Sequence, residues 1–501
     1  MNFILQGKPV VTAEEMVRIE KLAYAAGADE TEFMKNAGHA VAKAVEAYSL
    51  SHKIKHEIYL LLGKGNKAGD AFTAGAELLK DGYAVIAYHL YPLNDCSPLC
   101  QKQGKKFKQE GGIIQQIKSE KELLFNSGGI IIDGLLGTGF HGKAEGLEAA
   151  VIDAANRSAI PILAIDIPSG LNGSTGEVGS VAIRATQTLS LGLPKLGFFI
   201  RDGWNYVGKL ASLDFGLASS FIEQAQADYY LINDERLSKA LPIMKRTRHK
   251  YEAGYVIAVA GSSGMSGAAL MACFAALRSG AGIVRLFYPS GMELSGAPLE
   301  LLKEAWDLKN DQKILTESKR AKALMIGPGM GRSPETKTAI ERLLKEIPLP
   351  CVMDADALYF LAENPALSLP AHTVLTPHKQ EMQRLLGHIE LSHATCQHYV
   401  EKKKVTLVLK GAPTFVFHPQ VKPLIIPHGD PGMATAGTGD VLTGMIGAFL
   451  AQGLDTRTAA CLSVALHGLA GEQIASRKGS QGMIATDLIQ ALPSVFQSLK
   501  K

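Results

Sequence analysis

Short, continuously apolar runs recur along most of the chain, and each is followed by a glycine-rich or acidic loop and then by a helical pattern. In the first half these runs are IYLLL, AVIAYHL, IIID and ILAID, and in the second half they are YVIAVAG, ALMIGPG, CVMDAD, TVLTPH and TLVLKGA. Strands that are apolar on both faces are typical of parallel sheets covered by helices on each side. The pattern therefore predicts an α/β protein, in which ligands bind beyond the carboxyl ends of the strands.

The chain has 501 residues, a length that allows about three domains or two large ones. The run GKLASLDFGL is the last predicted strand of the first half, and the segment 217–235 around its end is rich in small and polar residues. This segment carries no strong strand pattern, which is typical of a junction between domains. We therefore predict a first domain over residues 1–220 and a second over residues 226–501.

The composition excludes several classes of protein. The net charge of +4 is small and scattered, so it indicates neither a nucleic-acid-binding surface nor a basic membrane-binding one. The uncharged stretch 253–277 is long enough to span a bilayer, but GSSGMSG interrupts it, and we expect a strand, a loop and then a helix from about Ala268. The N-terminus lacks a secretory signal pattern and the six cysteines form no disulfide framework, so we expect a cytoplasmic protein.

Glycine is over-represented, with 51 residues, and many of these glycines follow predicted strands. In the first half the strand IYLLL leads into GKGNKAGDA, where glycines before a helix allow backbone N–H groups to approach a phosphate. Two further strands end at Asp133, before the loop 137–139, and at Asp166, before IPSG. A single aspartate in such a place is commonly a helix cap, but three loops at one sheet edge indicate a pocket for a polar, phosphate-bearing ligand.

The last glycine loop of the chain, MATAGTGDVLTG over residues 433–444, leads into a helix. Small residues there leave several free N–H groups at a helix start, which stabilise developing negative charge on a phosphoryl group. Asp440 lies at the beginning of that helix and can accept a proton from an attacking hydroxyl, although an aspartate in this position is also a common cap. Lys410 in KGAPT is available for a nucleotide phosphate, and the absence of GxxxxGK[ST] excludes a P-loop enzyme.

The first half resembles the YjeF N-terminal family, which contains the NAD(P)H-hydrate epimerase domain. The resemblance rests on EEMVRIEKLA, MKNAGHAVA, GKGNKAGD, DGLLGTG, DIPSGLNG and LGLPKLGF and covers about residues 10–216. It implies a Rossmann-like three-layer αβα sandwich in which Asp166 is a catalytic residue. The positions that it assigns to the hydrated dinucleotide are Asn66, Lys67, Ala68, Gly69, Asp70, Gly137, Thr138, Gly139, Phe140, His141, Gly142, Lys143 and Asp166.

The same family implies a potassium ion bound by Asp133 and Ser169, and here the chain departs from the family pattern. The first loop of the family reads close to GNNGGDG, so the asparagine that helps to hold potassium is replaced by Lys67, and the following glycine by Ala68. A lysine ammonium beside Asp133 would repel a second cation. We therefore hypothesise that epimerisation is independent of potassium or that the domain has lost activity, unless Lys67 points outward and the change is silent.

The second half resembles the YjeF C-terminal family of NAD(P)H-hydrate dehydratases, within the ribokinase-like superfamily of αβα sandwiches. The motifs RHKYEAGYVIAVAGSSGMSGAALM, GPGMG, DADAL, TPHKQEMQRLL, VLKGAPT and GMATAGTGDVLTGMIGAFLAQG carry it over nearly all of residues 226–501. The family reads TPHPGE where this chain has TPHKQE, which removes a Pro-Gly turn but keeps His378 and Glu381. The implied substrate residues are Ala268, Gly329, His378 and the base Asp440, and the implied nucleotide residues are Lys410, Gly411, Ala412, Pro413, Thr414 and Gly439.

Together the two resemblances imply a bifunctional isomerase and lyase that repairs hydrated nicotinamide dinucleotides. The first domain would interconvert the R and S epimers at C6, and the second would dehydrate the S form with ADP and Mg²⁺, releasing AMP and phosphate. The sequence leaves open ADP or ATP, NADH or NADPH hydrate, and the oligomeric state, for which the family suggests a homo-oligomer. Two alternatives stay open: a small-alcohol kinase of the ribokinase type, and a first domain that only dimerises or binds a ligand, as a related domain does in an mRNA-decapping enhancer.

Overall fold

The computed structural model of the chain describes residues 3–54 and 57–500 and divides into two compact units. One unit comprises Lys8–Tyr229, and the other comprises the residues up to Gly7 together with Tyr230–Lys501. The junction lies slightly later in the chain than expected, and the N-terminal residues fall in the second unit instead of the first. The reason is burial, because Leu5 is fully buried in the core of the second unit.

The helices and strands alternate along the chain. In the first part they are β1 (Gln6–Val10), α1 (Ala13–Ala25), α2 (Glu30–His52), β2 (Glu57–Leu62), α3 (Asn66–Lys80), β3 (Ala84–His89), α4 (Pro98–Gln109), β4 (Ile113–Gln116), β5 (Ile130–Gly134), α5 (Gly146–Arg157), β6 (Ile162–Ile165), β7 (Gln187–Leu191), α6 (Trp204–Val207), β8 (Lys209–Leu213) and α7 (Ser219–Ile222). In the second part they are β9 (Tyr229–Ile232), α8 (Leu237–Ala240), β10 (Tyr255–Val259), α9 (Ser266–Arg278), β11 (Ile283–Pro289), β12 (Leu302–Trp306), α10 (Gln312–Ser318), β13 (Ala323–Ile326), α11 (Pro334–Glu346), β14 (Cys351–Met353), α12 (Asp356–Glu363), β15 (Thr373–Leu375), α13 (Lys379–Leu386), α14 (His393–Lys403), β16 (Thr406–Leu409), β17 (Thr414–His418), β18 (Val421–Ile426), α15 (Thr438–Ala451), α16 (Thr456–Lys478) and α17 (Ala485–Ser498).

The unit Lys8–Tyr229 is built on a parallel sheet with the strand order β4-β3-β2-β5-β6-β7-β8. Both faces of this sheet are covered, since Leu60 and Leu62 of β2 lie in one apolar core and Leu61 lies in another. The expected three-layer αβα arrangement is therefore confirmed. The chain order reverses between β2 and β5, and ligands of open α/β sheets bind in the crevice at such a reversal.

The second unit is built on an eleven-stranded sheet with the order β1-β9-β18-β17-β16-β15-β14-β13-β10-β11-β12. The pairs between β10 and β16 are parallel, whereas β17 runs antiparallel to both of its neighbours. Helix α15 is buried along most of its length and packs against α9 and against the sheet. The strand order reverses between β10 and β13, which marks a second crevice.

The first strand completes one edge of the larger sheet, where β1 lies beside β9. A Cβ atom at Gly7 would lie 2.9 Å from the carbonyl oxygen of Leu231, so a glycine is needed for this close approach. The N-terminal strand is thus an integral part of the second unit.

The uncharged stretch 253–277 forms β10 and α9, as expected, and the helix starts at Ser266, slightly earlier than predicted. Across residues 3–54 and 57–500, no helix combines the length and the apolarity needed to cross a bilayer. All six cysteines are buried and free.

Candidate active sites

Two loops meet where the smaller sheet reverses its strand order. Helix α3 begins at Asn66 after the N-cap Gly65, which provides no side-chain cap. A Cβ at Gly63 would lie 2.0 Å from the carbonyl oxygen of Leu135, in the loop that follows β5. Glycine therefore allows the two loops to touch, and the uncapped N–H groups at the start of α3 are available to an anion.

A cavity of about 680 Å³ opens beside these loops. The residues expected to bind the dinucleotide that line it are Asn66, Lys67, Asp70, Gly137, Thr138, Gly139, Phe140, His141 and Asp166. The sequence motifs therefore identify most of the cavity wall on the side of α3 and of the β5 loop.

Four of the expected residues do not line the cavity. Ala68 is fully buried in the apolar core, and the Cβ position of Gly69 lies 2.8 Å from Met34 Cε. Both follow Lys67 in α3, where the helical turn directs them away from the side that carries Lys67 and Asp70. Residues 142 and 143 instead pack against Gly179.

Lys67 points into the interior of the unit, so the alternative in which it points outward is wrong. Its ammonium nitrogen lies 3.0 Å from Oδ2 of Asp133 and 3.0 Å from Oγ of Ser169. It also lies 3.0 Å from the carbonyl oxygen of Leu136 and 2.7 Å from that of Ile167. Burial lowers the pKa of Lys67, and the charge of Asp133 opposes that effect.

The oxygens around Lys67 are of the kind that hold a monovalent cation, and they come from the loops after β5 and β6. Asp133 and Ser169 are brought together as expected, but they bind the lysine. A second cation in the same buried place would be strongly repelled. A potassium ion therefore does not fit here while Lys67 occupies the centre of the group.

Asp166 follows β6 and takes a left-handed backbone conformation, with φ of 61°, which is uncommon for a residue with a side chain. Its Oδ1 accepts hydrogen bonds from the backbone N–H of Leu191, at 3.1 Å, and from the ammonium of Lys195. Lys195 is fully buried and also donates to the carbonyl oxygen of Leu191 at 2.9 Å. The sequence reasoning assigned no role to Lys195, although a lysine inside the apolar run LGLPKLGF is a signal of a buried ion pair.

Carboxyl groups with raised pKa values line the same cavity. Burial, assisted by the charge of Asp166, raises the pKa of Glu20 on α1 to about 7. Burial likewise raises the pKa of Asp70 well above its usual range, and Asp166 and Glu20 add to the effect. The sequence reasoning missed Glu20. Acids whose pKa lies near neutrality can move protons at physiological pH, so this cavity can support acid–base chemistry.

In the second unit, helix α15 begins after Gly437, which has φ of 92° and provides no side-chain cap. A Cβ there would lie 2.4 Å from Met271 Cε, so only glycine fits. The Cβ position of Gly439 in the first turn lies 3.4 Å from Lys410 Nζ. The uncapped start of α15 and the lysine ammonium therefore lie side by side, an arrangement suited to phosphate.

Asp440 lies in the first turn of α15, among other charged groups. Lys410 Nζ lies 2.8 Å from Oδ1 of Asp354 and 3.9 Å from Oε2 of Glu381, and Thr443 Oγ1 donates to Oδ2 of Asp354 at 2.8 Å. Burial raises the pKa of Asp440 to about 7, with Asp354 adding to the rise and Lys410 opposing it. Burial alone would lower the pKa of Lys410, but Asp354 and Glu381 outweigh it and raise that pKa.

His378 is the N-cap of α13, and its Nδ1 accepts hydrogen bonds from the N–H groups of Gln380 and Glu381. The Glu381 carboxylate accepts in return from the backbone N–H of His378 at 2.8 Å. TPHKQE therefore forms a capping box without the Pro-Gly turn. The carbonyl oxygen of Pro377 accepts from the Lys410 N–H at 2.9 Å, which places the half-exposed His378 next to the lysine.

Two further expected residues lie at the reversal of the larger sheet. Gly329 has φ of 62°, and its Cβ position lies 3.1 Å from Cβ of Ala268. The carbonyl oxygen of Gly329 accepts a hydrogen bond from Ser262 Oγ at 2.8 Å. The loops after β10 and β13 are thus joined, and they bring Ala268 and Gly329 together as the motifs predict.

The KGAPT segment connects β16 to β17 beside Lys410. Gly411 and Ala412 are exposed, Pro413 is buried, and Thr414 Oγ1 donates to the carbonyl oxygen of Gly411 at 3.0 Å. This turn offers exposed backbone next to a lysine, as a nucleotide site requires. The sequence reasoning named DADAL as a motif but missed that Asp354 within it is the partner of Lys410.

Two family models match the chain: one described as NAD(P)H-hydrate dehydratase, over residues 256–494, and one described as YjeF-related protein N-terminus, over residues 30–197. Among solved structures, a ribokinase-like superfamily protein from Enterococcus faecalis superposes with a TM-score of 0.51 at 26% identity, over 54% of this chain and 96% of that one. The larger unit therefore has the expected ribokinase-like fold.

Similar proteins extend over both units. The bifunctional NAD(P)H-hydrate repair enzyme Nnr of Moorella thermoacetica is 34% identical over 517 residues, which cover 98% of this chain and 97% of the relative. The protein of the same name from Escherichia coli is 34% identical over 459 residues, covering 87% of this chain and 84% of the relative. The chain belongs to the family of bifunctional NAD(P)H-hydrate repair enzymes.

Proposed function

We propose that the chain repairs hydrated nicotinamide dinucleotides in two reactions. The unit Lys8–Tyr229 interconverts the R and S epimers at C6, and the larger unit dehydrates the S epimer with ADP to give NAD(P)H, AMP and phosphate. The observation that carries this proposal is the position of Asp440 in the first turn of α15, beside the Lys410–Asp354 ion pair, in a chain similar over its whole length to bifunctional repair enzymes.

In the dehydration, Asp440 accepts the proton of the C6 hydroxyl. The hydroxyl oxygen attacks the β-phosphorus of ADP, the bond from that phosphorus to the bridging oxygen breaks, and AMP leaves. The electron pair of ring nitrogen N1 then expels phosphate from C6, and loss of a proton from C5 restores the double bond. The N–H groups of residues 436–439 stabilise the transferred phosphoryl group, and a pKa of about 7 suits a base that works near neutrality.

The neighbouring residues hold the two substrates. Lys410, the exposed turn 411–414 and Gly439 bind the nucleotide, while Ala268, Gly329 and His378 bind the hydrated nicotinamide. Asp354 and Glu381 offer carboxylate oxygens near Lys410, the donor type that Mg²⁺ prefers, and bound Mg²⁺ supplies positive charge to the diphosphate.

Epimerisation at C6 needs a group that removes the hydroxyl proton as the bond to the ring nitrogen opens, and a group that donates a proton to the opened form. Asp166 is held in place by Lys195 and is the base that we assign. Glu20 lines the same cavity and has a pKa of about 7, so it is the acid that we assign. Both then act in reverse when the ring closes on its other face.

A mixture of R and S hydrates separates the two activities in one experiment. The wild-type chain with ADP should convert both epimers to NAD(P)H, measured by the absorbance of the reduced nicotinamide. Asp166→Asn should convert only the S fraction rapidly, and Asp440→Asn should convert neither while still equilibrating the epimers. Dehydration by Asp440→Asn at the wild-type rate would contradict the assignment of the base.

The same assay addresses the alternatives. A stable phosphorylated product, formed with ATP in preference to ADP, would identify a small-alcohol kinase. An unchanged epimer ratio would identify a first unit that only binds a ligand. The preference between NADH and NADPH hydrate, the homo-oligomeric state and the cytoplasmic location stay predictions.

A further inference from the structure

The oxygens around Lys67 form a cage that receives a charge instead of a set of matched hydrogen bonds. They belong to Asp133, Leu136, Ile167 and Ser169 and lie between 2.7 and 3.0 Å from the nitrogen. An ammonium has three N–H bonds, so these four acceptors cannot each receive a hydrogen of their own. A compact positive charge satisfies all of them at once, and an ammonium and a potassium ion are alike in size and charge.

The cage is deeply buried. The side chain of Lys67 is 5% exposed, and that of Asp133 is 0% exposed. Two backbone N–H groups also donate to Asp133, from Leu135 at 3.1 Å and from Ser169 at 2.8 Å, so the carboxylate is held in its charged form. A buried carboxylate that loses its cation is strongly destabilising, and the position therefore requires a positive charge at all times.

The cage also joins the loops that build the cavity. Leu136 precedes the lining residues Gly137 and Thr138, and Ile167 follows the lining residue Asp166. The Cβ position of Gly137 lies 3.4 Å from Cβ of Lys67, so the lysine stem packs against this loop as well. Lys67 is therefore a positioning residue for both loops.

We propose that the ammonium of Lys67 serves as a built-in monovalent cation, so that the first unit works without potassium, and that removing it creates a potassium site. This inference rests on the proposed epimerase function for its effect on activity. Its effect on binding and stability does not depend on that function, and the two can therefore be tested apart.

The test compares wild type, Lys67→Asn and Lys80→Asn as full chains. Asparagine frees the centre of the cage and offers an amide oxygen. Lys80 is a matched control because it ends the same helix but is exposed, in an ion pair with Glu110. Epimerisation is measured in chloride salts of potassium, sodium and tetramethylammonium at equal ionic strength, together with the thermal unfolding midpoint and thallium-205 NMR for Tl⁺ binding.

We expect wild type and Lys80→Asn to show the same epimerisation rate and unfolding midpoint in all three salts, with no Tl⁺ bound at this position. Lys67→Asn should lose at least about tenfold in rate without potassium, regain it with potassium, gain thermal stability from potassium alone, and bind Tl⁺. The wild-type chain decides the matter even if the variant fails to fold, because strong stimulation of wild type by potassium over sodium would overturn the proposal. So would a folded Lys67→Asn that neither binds Tl⁺ nor responds to potassium.

If no variant epimerises the hydrate in any salt, yet Lys67→Asn binds Tl⁺ and is stabilised by potassium, the proposed epimerase function fails. The cation replacement would then stand.

Discussion

Asp354 accepts the ammonium of Lys410 at 2.8 Å, and this ion pair acts on Asp440 with both of its charges. Burial contributes most to the raised pKa of Asp440, Asp354 raises it further, and Lys410 lowers it. The strength of the proposed base therefore depends on two charges that can be removed one at a time.

The first prediction concerns the pH dependence of dehydration. Asp440 must be ionised to accept a proton, so kcat with the S hydrate and saturating ADP should rise with pH and reach half its plateau near the pKa of about 7. Asp440→Asn should reduce kcat by about 10²–10⁴-fold, the range for loss of a general base. A kcat that does not change through neutral pH would exclude Asp440 as the rate-determining base.

The second prediction separates the two charges. Asp354→Asn removes a negative charge and should move the rising limb of the pH profile to lower pH. Lys410→Met removes a positive charge and should move it to higher pH, and both variants should have a lower plateau. Asp455→Asn, which alters only the cap of α16, should leave the profile in place. Shifts of Asp354→Asn and Lys410→Met in the same direction would contradict this account.

The third prediction concerns the start of α15. Gly437 and Gly453 have nearly equal φ values, 92° and 91°, but only Gly437 has a neighbour at its Cβ position, Met271 Cε at 2.4 Å. Gly453→Ala should cost about 1 kcal/mol from the left-handed backbone alone. Gly437→Ala should cost a further ~1–3 kcal/mol from overpacking and should also impair dehydration. Chemical denaturation and the dehydration assay measure both effects, and equal losses would show that Met271 moves aside freely.

The fourth prediction concerns Glu20. As a general acid it must be protonated, so epimerisation should decline as pH rises through about 7, and Glu20→Gln should be slow at every pH. The raised pKa of Glu20 means that the folded state holds the proton to higher pH than the unfolded state does. The wild type therefore loses stability as pH rises from 4.5, the ordinary pKa of a glutamate, to about 7, and Glu20→Gln should lose less over that window in urea denaturation.

Glu46→Gln is the control for Glu20→Gln, because Glu46 lies on α2 in an exposed ion pair with Lys43. It should match the wild type in epimerisation rate and in the pH dependence of stability. A Glu20→Gln variant that retains the wild-type epimerisation profile would remove Glu20 from the mechanism.

The sequence predicted those parts of the sites that are continuous in the chain. Strand ends and glycine loops are local patterns, and they located Asp166, Asp440 and the loops around them correctly. Lys195 and Glu20 were missed because each is significant only through Asp166, which lies in a distant part of the chain. Ala68 and Gly69 were placed at the ligand because a motif gives consecutive residues one role, whereas a helix directs neighbours to different sides.

The N-terminal strand has a consequence for how the two activities are joined. Because β1 completes the sheet of the larger unit, the chain enters that unit, leaves it to build Lys8–Tyr229, and returns. The epimerase unit is thus an insertion within the dehydratase, with two covalent attachments in place of one linker. A single proteolytic cut near Tyr229 would leave the epimerase unit attached through β1, so the two enzymes would stay together as one particle even after the chain between them is broken.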